Sequence, residues 1–230
     1  MTSTLRTEGK HLEIPPIDLK APSQTETATL ALGCFWGPDA QFGVTPGVVR
    51  TRVGYAGGRQ PHPTYYDLGD HIETVQIEFD PKVTSYQQLL DIFWRSHNPH
   101  KPGWLRQYMS AIFYHSNAQE NLARETLERE FKRTNREICT EIMPCTKFNM
   151  AEGYHQKYHL RQYRDLVKEY IKIYPDENDF IHSTSAARVN GYVAGYGNLT
   201  NLYEEIESLG LSDKGNEVLR EIVLRFSKQD

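Results

Sequence analysis

Gly33-Cys34-Phe35-Trp36-Gly37 sets a thiol beside two aromatic rings, between an apolar run and the start of a predicted helix. Thr27 to Leu32 has the length and composition of a short buried strand, and Pro38-Asp39 followed by Ala40, Gln41 and Phe42 suits a first helical turn. A cysteine at a helix N-terminus lies near unpaired N–H groups that favour an anion and lower the thiol pKa, which makes Cys34 a candidate nucleophile. Free cysteine is equally at home as small apolar filler, so the pentapeptide alone leaves both readings open.

A second reactive group lies on the strand predicted over His71 to Asp80. Glu73, Val75, Ile77 and Phe79 share one face, and Ile72, Thr74, Gln76 and Glu78 the other. The first face is apolar, so Glu73 begins a row that points toward a core or cleft. Loss of water there raises a carboxyl pKa and makes it a usable general acid. A strand-end glutamate fraying into solvent is the competing reading. Phenolic hydroxyls flank the region at Tyr65 and Tyr108 and can donate to a polar oxygen. With 14 tyrosines in the chain, spacing does not single these two out.

These residues need elements to hold them. Val48 to Tyr55 reads as a strand that stops at Ala56-Gly57-Gly58, and Arg59 to Asp70 as a long loop of the kind kept for binding or catalysis. Thr84 or Ser85 caps a helix over Tyr86 to Ser96, followed by a second loop from His97 to Arg106. Tyr108 to Tyr114 is a predicted strand, Asn117 to Thr134 a charged amphipathic helix, and Glu137 to Met143 a further strand containing Cys139. Ala151 to Tyr174 and Glu177 to Ala187 read as helical, Gly191 to Gly197 as a glycine-rich loop, and Leu202 to Leu209 with Ser212 to Phe226 as a helical pair. This order predicts an α+β fold: a two-layer mixed-sheet domain with a ferredoxin-like core, helices packed on it, and a C-terminal helical extension. The expected division is an irregular segment over 1–24, a catalytic domain over 25–197 and the extension over 198–230.

A chain of 230 residues, 38% of them hydrophobic and 24% charged, is long enough for one well-packed domain plus an extension. The net charge of −4, with basic residues spread along the chain, gives no footprint for nucleic acid or an anionic membrane surface. Three cysteines, Cys34, Cys139 and Cys145, do not make a secreted disulfide framework, and the polar N-terminus has no apolar signal core. A cytoplasmic monomer is expected.

Gly-Cys-Phe-Trp-Gly, then Val53 to Gly58, Pro63-Thr64-Tyr65, His71-Ile72-Glu73, Gln107-Tyr108 and Tyr154-His155-Gln156-Lys157-Tyr158 resemble, in type and order, the A-type peptide methionine sulfoxide reductases. The resemblance runs from about Thr27 to Gly197. It implies thiol-dependent reduction of methionine-S-sulfoxide, free or in oxidised proteins, to methionine. Cys34 would attack sulfur and end as a sulfenic acid, Glu73 would supply the proton, and Tyr65 and Tyr108 would hold the sulfoxide oxygen. Phe35 and Trp36 would receive the methyl group, and Glu152 and His155 would support the site by hydrogen bonds. No bound cofactor is implied, only an external dithiol such as thioredoxin.

Three departures bear on this. The acidic loop segment common in the family before the second tyrosine is replaced by Pro102-Gly103-Trp104-Leu105-Arg106, so that Trp104 or Arg106 reshapes the pocket edge. Asp39 stands where a glutamate is usual. The family's resolving cysteine in a Gly-Tyr-Cys segment is Val193 here, which leaves Cys145, after Pro144, as the internal candidate ahead of Cys139, and direct reduction by an external dithiol as the expected route. Two rivals remain. His155 and His159, four apart on a predicted helix with Glu152 nearby, have zinc-ligand spacing but no third ligand, so no metal is expected. A protein that binds oxidised methionine without turnover would also explain the lost loop acid.

Overall fold

The computed structural model describes residues 13–227. A helical turn α1 (Pro16–Leu19) precedes β1 (Glu26–Leu32), α2 (Trp36–Gly43), β2 (Val48–Ala56), β3 (Ile72–Phe79), α3 (Tyr86–Arg95) and β4 (Ser110–Tyr114). From β1 to β4 the strands lie in the order β4-β1-β3-β2, every pair antiparallel, which is the predicted ferredoxin-like core. The 18-residue α4 (Asn117–Thr134) crosses over to bring β5 (Glu141–Pro144) parallel to β4, as a parallel pair requires. β6 (Phe148–Met150) closes the other edge against β2. In this register Glu73 stands opposite Tyr55, and Val75 opposite both Leu30 and Val53.

The predicted alternation of β3 is what packs the sheet. Val75, Ile77 and Phe79 join Ala28, Leu30, Phe42, Leu89, Leu90 and Phe93 in one core under the helices. Ile72 faces the other way, into a smaller cluster with Ala31, Ala56, Ala111 and Phe113. Ser85 and Gln88 form a reciprocal capping box that starts α3, and Ser116 caps α4.

α5 (Tyr158–Arg161), α6 (Arg164–Ile173), α7 (Glu177–Ile181), α8 (Thr184–Val193), α9 (Leu199–Glu205) and α10 (Asp213–Phe226) share a separate apolar core running from Leu160 to Val223. Every residue of α8 is buried. α8 crosses α2 so closely that a Cβ on Gly191 would come within 2.5 Å of Ala40 O, and one on Gly43 within 2.5 Å of Ala187 O. Arg188 donates to the Gly43, Thr45 and Val48 carbonyls just past the end of α2. The helical unit therefore grips the helix that begins beside Cys34.

Several sequence expectations are corrected. Gly191 to Val193 lie inside α8 rather than in a loop, since the glycine is needed for the close helix crossing. The strand expected over Glu137 to Met143 begins only at Glu141, because Ala111 pairs with Glu141 and Cys139 would fall opposite Met109, outside β4. Tyr108 sits in a 3₁₀ turn (Arg106–Tyr108), not a strand. His155 lies in another 3₁₀ turn, and left-handed Lys157 (φ 53°) separates it from the helix holding His159, so the two histidines do not share a helix face. The span from Glu177 to Ala187 is broken between α7 and α8 by His182-Ser183. Within the lead-in expected to be irregular, α1 is helical, and Asp18 accepts from Ser183 Oγ, Tyr174 OH and the Thr184 N–H at the start of α8.

One buried ion pair locks the two units together. Lys157 and Asp39 are both fully buried; Lys157 Nζ donates to Asp39 Oδ1 at 3.1 Å and to Thr51 O at 2.6 Å. Asn190 from α8 donates to the other carboxylate oxygen at 3.3 Å. Lys157→Ala would strand a carboxylate in the interior, and we expect a loss of about 3–5 kcal/mol in a urea unfolding titration. An unchanged midpoint would contradict the pair's structural role.

Candidate active site

β1 ends at Leu32, and Gly33 turns the chain with φ of 98°, a conformation that favours glycine. The turn splits the next two side chains: Cys34 is exposed while Phe35 is buried among Val53, Tyr55 and Ala151. The first N–H groups of α2 are divided between two acceptors. Phe35 N–H donates to Glu73 Oε2 at 3.1 Å, and the Trp36 N–H points to the Cys34 sulfur.

Glu73 is only 1% exposed, which decides between the two readings of this residue in favour of the inward one. Its Oε1 accepts from Gln107 Nε2 at 2.6 Å, and the Cys34 thiol lies close enough to the same carboxyl to influence its charge. Burial pushes the Glu73 pKa up, against the lowering effect of Gln107, the Phe35 N–H and Cys34. The thiol pKa is also raised, first by desolvation and then by the Glu73 charge, and the Trp36 N–H only partly offsets this. The expectation of a lowered Cys34 pKa is therefore corrected: a carboxylate sits where only a helix terminus was read. Removing that charge must lower the thiol pKa. In Glu73→Gln the midpoint of Cys34 alkylation by iodoacetamide, followed against pH, should move to lower pH; an unmoved or higher midpoint would contradict the coupling.

The aromatic wall is built from distant segments. Trp36 stacks on Tyr158 at 3.6 Å and 3°, and its indole N–H donates to His155 Nδ1 at 3.2 Å. That bond fixes the neutral imidazole with its proton on Nε2, and burial lowers the His155 pKa in the same sense. The imidazole also packs against Phe35 and Tyr65, at 5.1 and 4.8 Å between ring centres. Glu152 accepts from Tyr55 OH at 2.8 Å and from Tyr65 N–H at 3.0 Å, tying the 59–70 loop to the sheet. Partial burial works against its charge, yet these donors hold the Glu152 carboxyl below its usual range. Tyr65 and Tyr108 lie near Glu73 and Cys34; desolvation first, and then Tyr65, Glu73 and Cys34, push Tyr108 up to about 12.

Cys34, Phe35, Trp36, Tyr65, Glu73, Tyr108, Glu152 and His155 thus gather in one place. Cys145 does not. It packs with Ala31, Ile72 and Phe113, on the sheet face opposite Glu73, and burial raises its thiol pKa. Cys139 lies in the lead-in to β5, its N–H bonded to Pro99 O. Sequence reasoning did not assign Gln107, Tyr55 or Tyr158, all of which touch the site groups. All three stood inside matched motifs, but nothing in hydropathy marks Tyr55 as the partner of a glutamate 97 positions away.

An exposed thiol beside a buried carboxyl and walled by aromatic rings defines a thiol oxidoreductase site. The peptide methionine sulfoxide reductase family model matches residues 26–189, and that of the selenoprotein methionine sulfoxide reductase A helical domain matches 176–224. A peptide methionine sulfoxide reductase of Drosophila melanogaster is 40% identical over 219 residues, covering 91% of this chain and 85% of its own length. The rice enzyme peptide methionine sulfoxide reductase A5 is 42% identical over 176 residues, covering 74% of this chain and 68% of its own. Among solved structures, reduced Mxr1 of Saccharomyces cerevisiae superposes with a TM-score of 0.56 at 30% identity, over 60% of this chain and 85% of its own. Methionine sulfoxide reductase A of Corynebacterium diphtheriae gives 0.56 at 33%, over 61% and 76%. This chain belongs to the peptide methionine sulfoxide reductase family. The rival expectation of a binder without turnover finds no support in these relatives.

Proposed function

We propose that the chain carries out its family's reaction, thiol-dependent reduction of methionine sulfoxide to methionine, with Cys34 as nucleophile and Glu73 as acid. The observation that carries this reading is the close pairing of an exposed thiol with a 1% exposed carboxyl. Transfer of the thiol proton to Glu73 yields a thiolate facing a neutral acid, the two forms the reaction needs. The raised pKa of the carboxyl favours that transfer. Glu73 then protonates the sulfoxide oxygen as the thiolate attacks sulfur. An S–S bond forms, the oxygen leaves as hydroxide, and attack of that hydroxide on Cys34 sulfur releases methionine and leaves a sulfenic acid.

Tyr65 and Tyr108 are suited to hold the oxygen as donors, and Phe35 and Trp36 to receive the methyl group, given the affinity of sulfur substituents for aromatic edges. Glu152 and His155 orient Tyr65 and Trp36. Resetting the site takes two electrons from a dithiol. One thiolate attacks the Cys34 sulfenic sulfur, water leaves, and the second thiolate breaks the mixed disulfide to restore the Cys34 thiol. Cys34 is exposed and Cys145 lies across the sheet, which supports an external reductant of the thioredoxin type. The cytoplasm supplies such a reductant, and all the groups invoked come from one chain.

A wall on one side and donors on the other distinguish the two sulfoxide epimers. With dithiothreitol and a racemic N-acetylmethionine sulfoxide, the S epimer should be consumed and the R epimer left. Equal consumption of both would contradict the assigned geometry.

A further inference from the structure

Two aromatic side chains next to the site are left in solvent: Trp104 is 78% exposed and Tyr66 91%. Neither is needed for the core. Trp104 stacks on Tyr108 with ring centres 5.4 Å apart and planes 21° from parallel, its one ring partner among the described residues. Tyr66 sets its edge against Tyr65, at 5.5 Å and 85°. Tyr65 and Tyr108 are near enough to shift each other's ionisation, so the two pairs of rings lie side by side, the inner pair at the pocket and the outer pair in solvent.

The arrangement is braced. Trp104 belongs to the loop after α3 and Tyr66 to the loop before β3, and Arg106 Nε of the first donates to Asp70 O of the second at 2.8 Å. Asp70 Oδ1 in turn accepts from Arg59 N–H at 2.7 Å. Gly103 lets the first loop pass over the backbone at Tyr108 and Met109, where a Cβ would come within 2.8 Å. Exposed, preorganised aromatic rings of this kind lose little entropy on contact and bury much apolar area.

We propose that Trp104 and Tyr66 are specificity-determining residues that grip an aromatic or other bulky apolar side chain flanking methionine sulfoxide in an extended polypeptide. The proposal rests on the Cys34–Glu73 pocket being the sulfoxide site. A peptide whose sulfoxide enters that pocket must leave it across a bordering surface, and Tyr66 and Trp104 each pack outside an inner tyrosine of that border. Free methionine sulfoxide carries its ammonium and carboxylate where the flanking residues of a peptide would be, and these gain nothing from an apolar rim. The substrates selected are therefore oxidised methionines within unfolded apolar segments.

The test compares blocked peptides holding methionine-S-sulfoxide between two phenylalanines or between two serines, with dithiothreitol as reductant. In the unaltered chain kcat/KM should favour the phenylalanine peptide by about tenfold, mainly through KM, on the scale of one partly buried aromatic side chain. Within each variant the ratio of the two peptides is the readout, so a general loss of activity cancels. W104A and Y66A should each reduce the ratio, the double variant should bring it near one, and W104F should keep most of it. Equilibrium binding of the same peptides to Cys34→Ser should show the same ranking. Flank-dependent binding without turnover in the unaltered chain would sustain this proposal and overturn the catalytic reading. A ratio near one in the unaltered chain, or one unmoved by the double variant, would overturn the proposal. So would an effect confined to the KM for thioredoxin, which would assign the rim to the reductant.

Discussion

Cys34→Ser is expected to bring the dithiothreitol-driven reduction of a methyl sulfoxide down to background, a loss of at least about a thousandfold. A hydroxyl in place of the thiol is nearly the same size and still sits beside Glu73, so the fold and the affinity for substrate should be nearly unchanged. What it lacks is a nucleophile soft enough to attack sulfur and able to carry the oxygen away as a sulfenic acid. Cys139 and Cys145 cannot substitute: neither joins the Glu73 cluster, and Cys145 faces the other side of the sheet. Turnover above a tenth of the original rate would show that the nucleophile is elsewhere.

Glu73→Gln should lower kcat by about a hundred- to ten-thousandfold while leaving KM within a few-fold. The amide can still accept from Phe35 N–H and stay in the row above Val75, so the pocket keeps its shape. It cannot take the thiol proton or pass one to the oxygen. The pH profile separates this from mere misplacement. The productive form has one proton shared by Cys34 and Glu73, so kcat/KM of the unaltered enzyme falls in acid, where both groups are protonated, and in alkali, where both are ionised. Because burial raises the Glu73 pKa, the acid limb lies above the usual carboxylate range; because desolvation and the Glu73 charge raise the Cys34 pKa, the alkaline limb lies above the usual thiol range. In Glu73→Gln the alkaline limb should vanish, and the residual activity should rise with Cys34 thiolate formation to a plateau. An alkaline limb that persists unchanged would assign it to another group.

The sequence carried the central part of this site because its logic is local. Alternation pointed Glu73 inward, Thr84 or Ser85 announced α3, the charged amphipathic pattern of Asn117 to Thr134 announced α4, and the order of elements predicted the ferredoxin-like core. Motif order then joined Cys34 to Tyr65, Glu73 and Tyr108. What escaped depends on long-range partners. Lys157 is fully buried because Asp39 and Thr51, more than a hundred residues earlier, surround its ammonium, and no composition rule puts a lysine in a core. The short β6 was missed since three residues carry too little periodicity, and just past it Gln156 extends the pairing by bonding both Val53 N–H and Val53 O through its side chain. Gly191 read as a loop residue until the crossing of α2 and α8 gave it a reason to be helical. The raised Cys34 pKa was likewise hidden, because the charge responsible lies 39 positions away in sequence.

The most direct test withholds the reductant. The fully reduced protein is mixed with excess methionine-S-sulfoxide, methionine is counted, and each cysteine is then identified by mass spectrometry after dimedone and iodoacetamide treatment. About one methionine per chain should form, with dimedone on Cys34 and with Cys139 and Cys145 still alkylatable. Methionine formed while Cys34 remains a free thiol, or with Cys34 joined to Cys139 or Cys145 in a disulfide, would contradict the account.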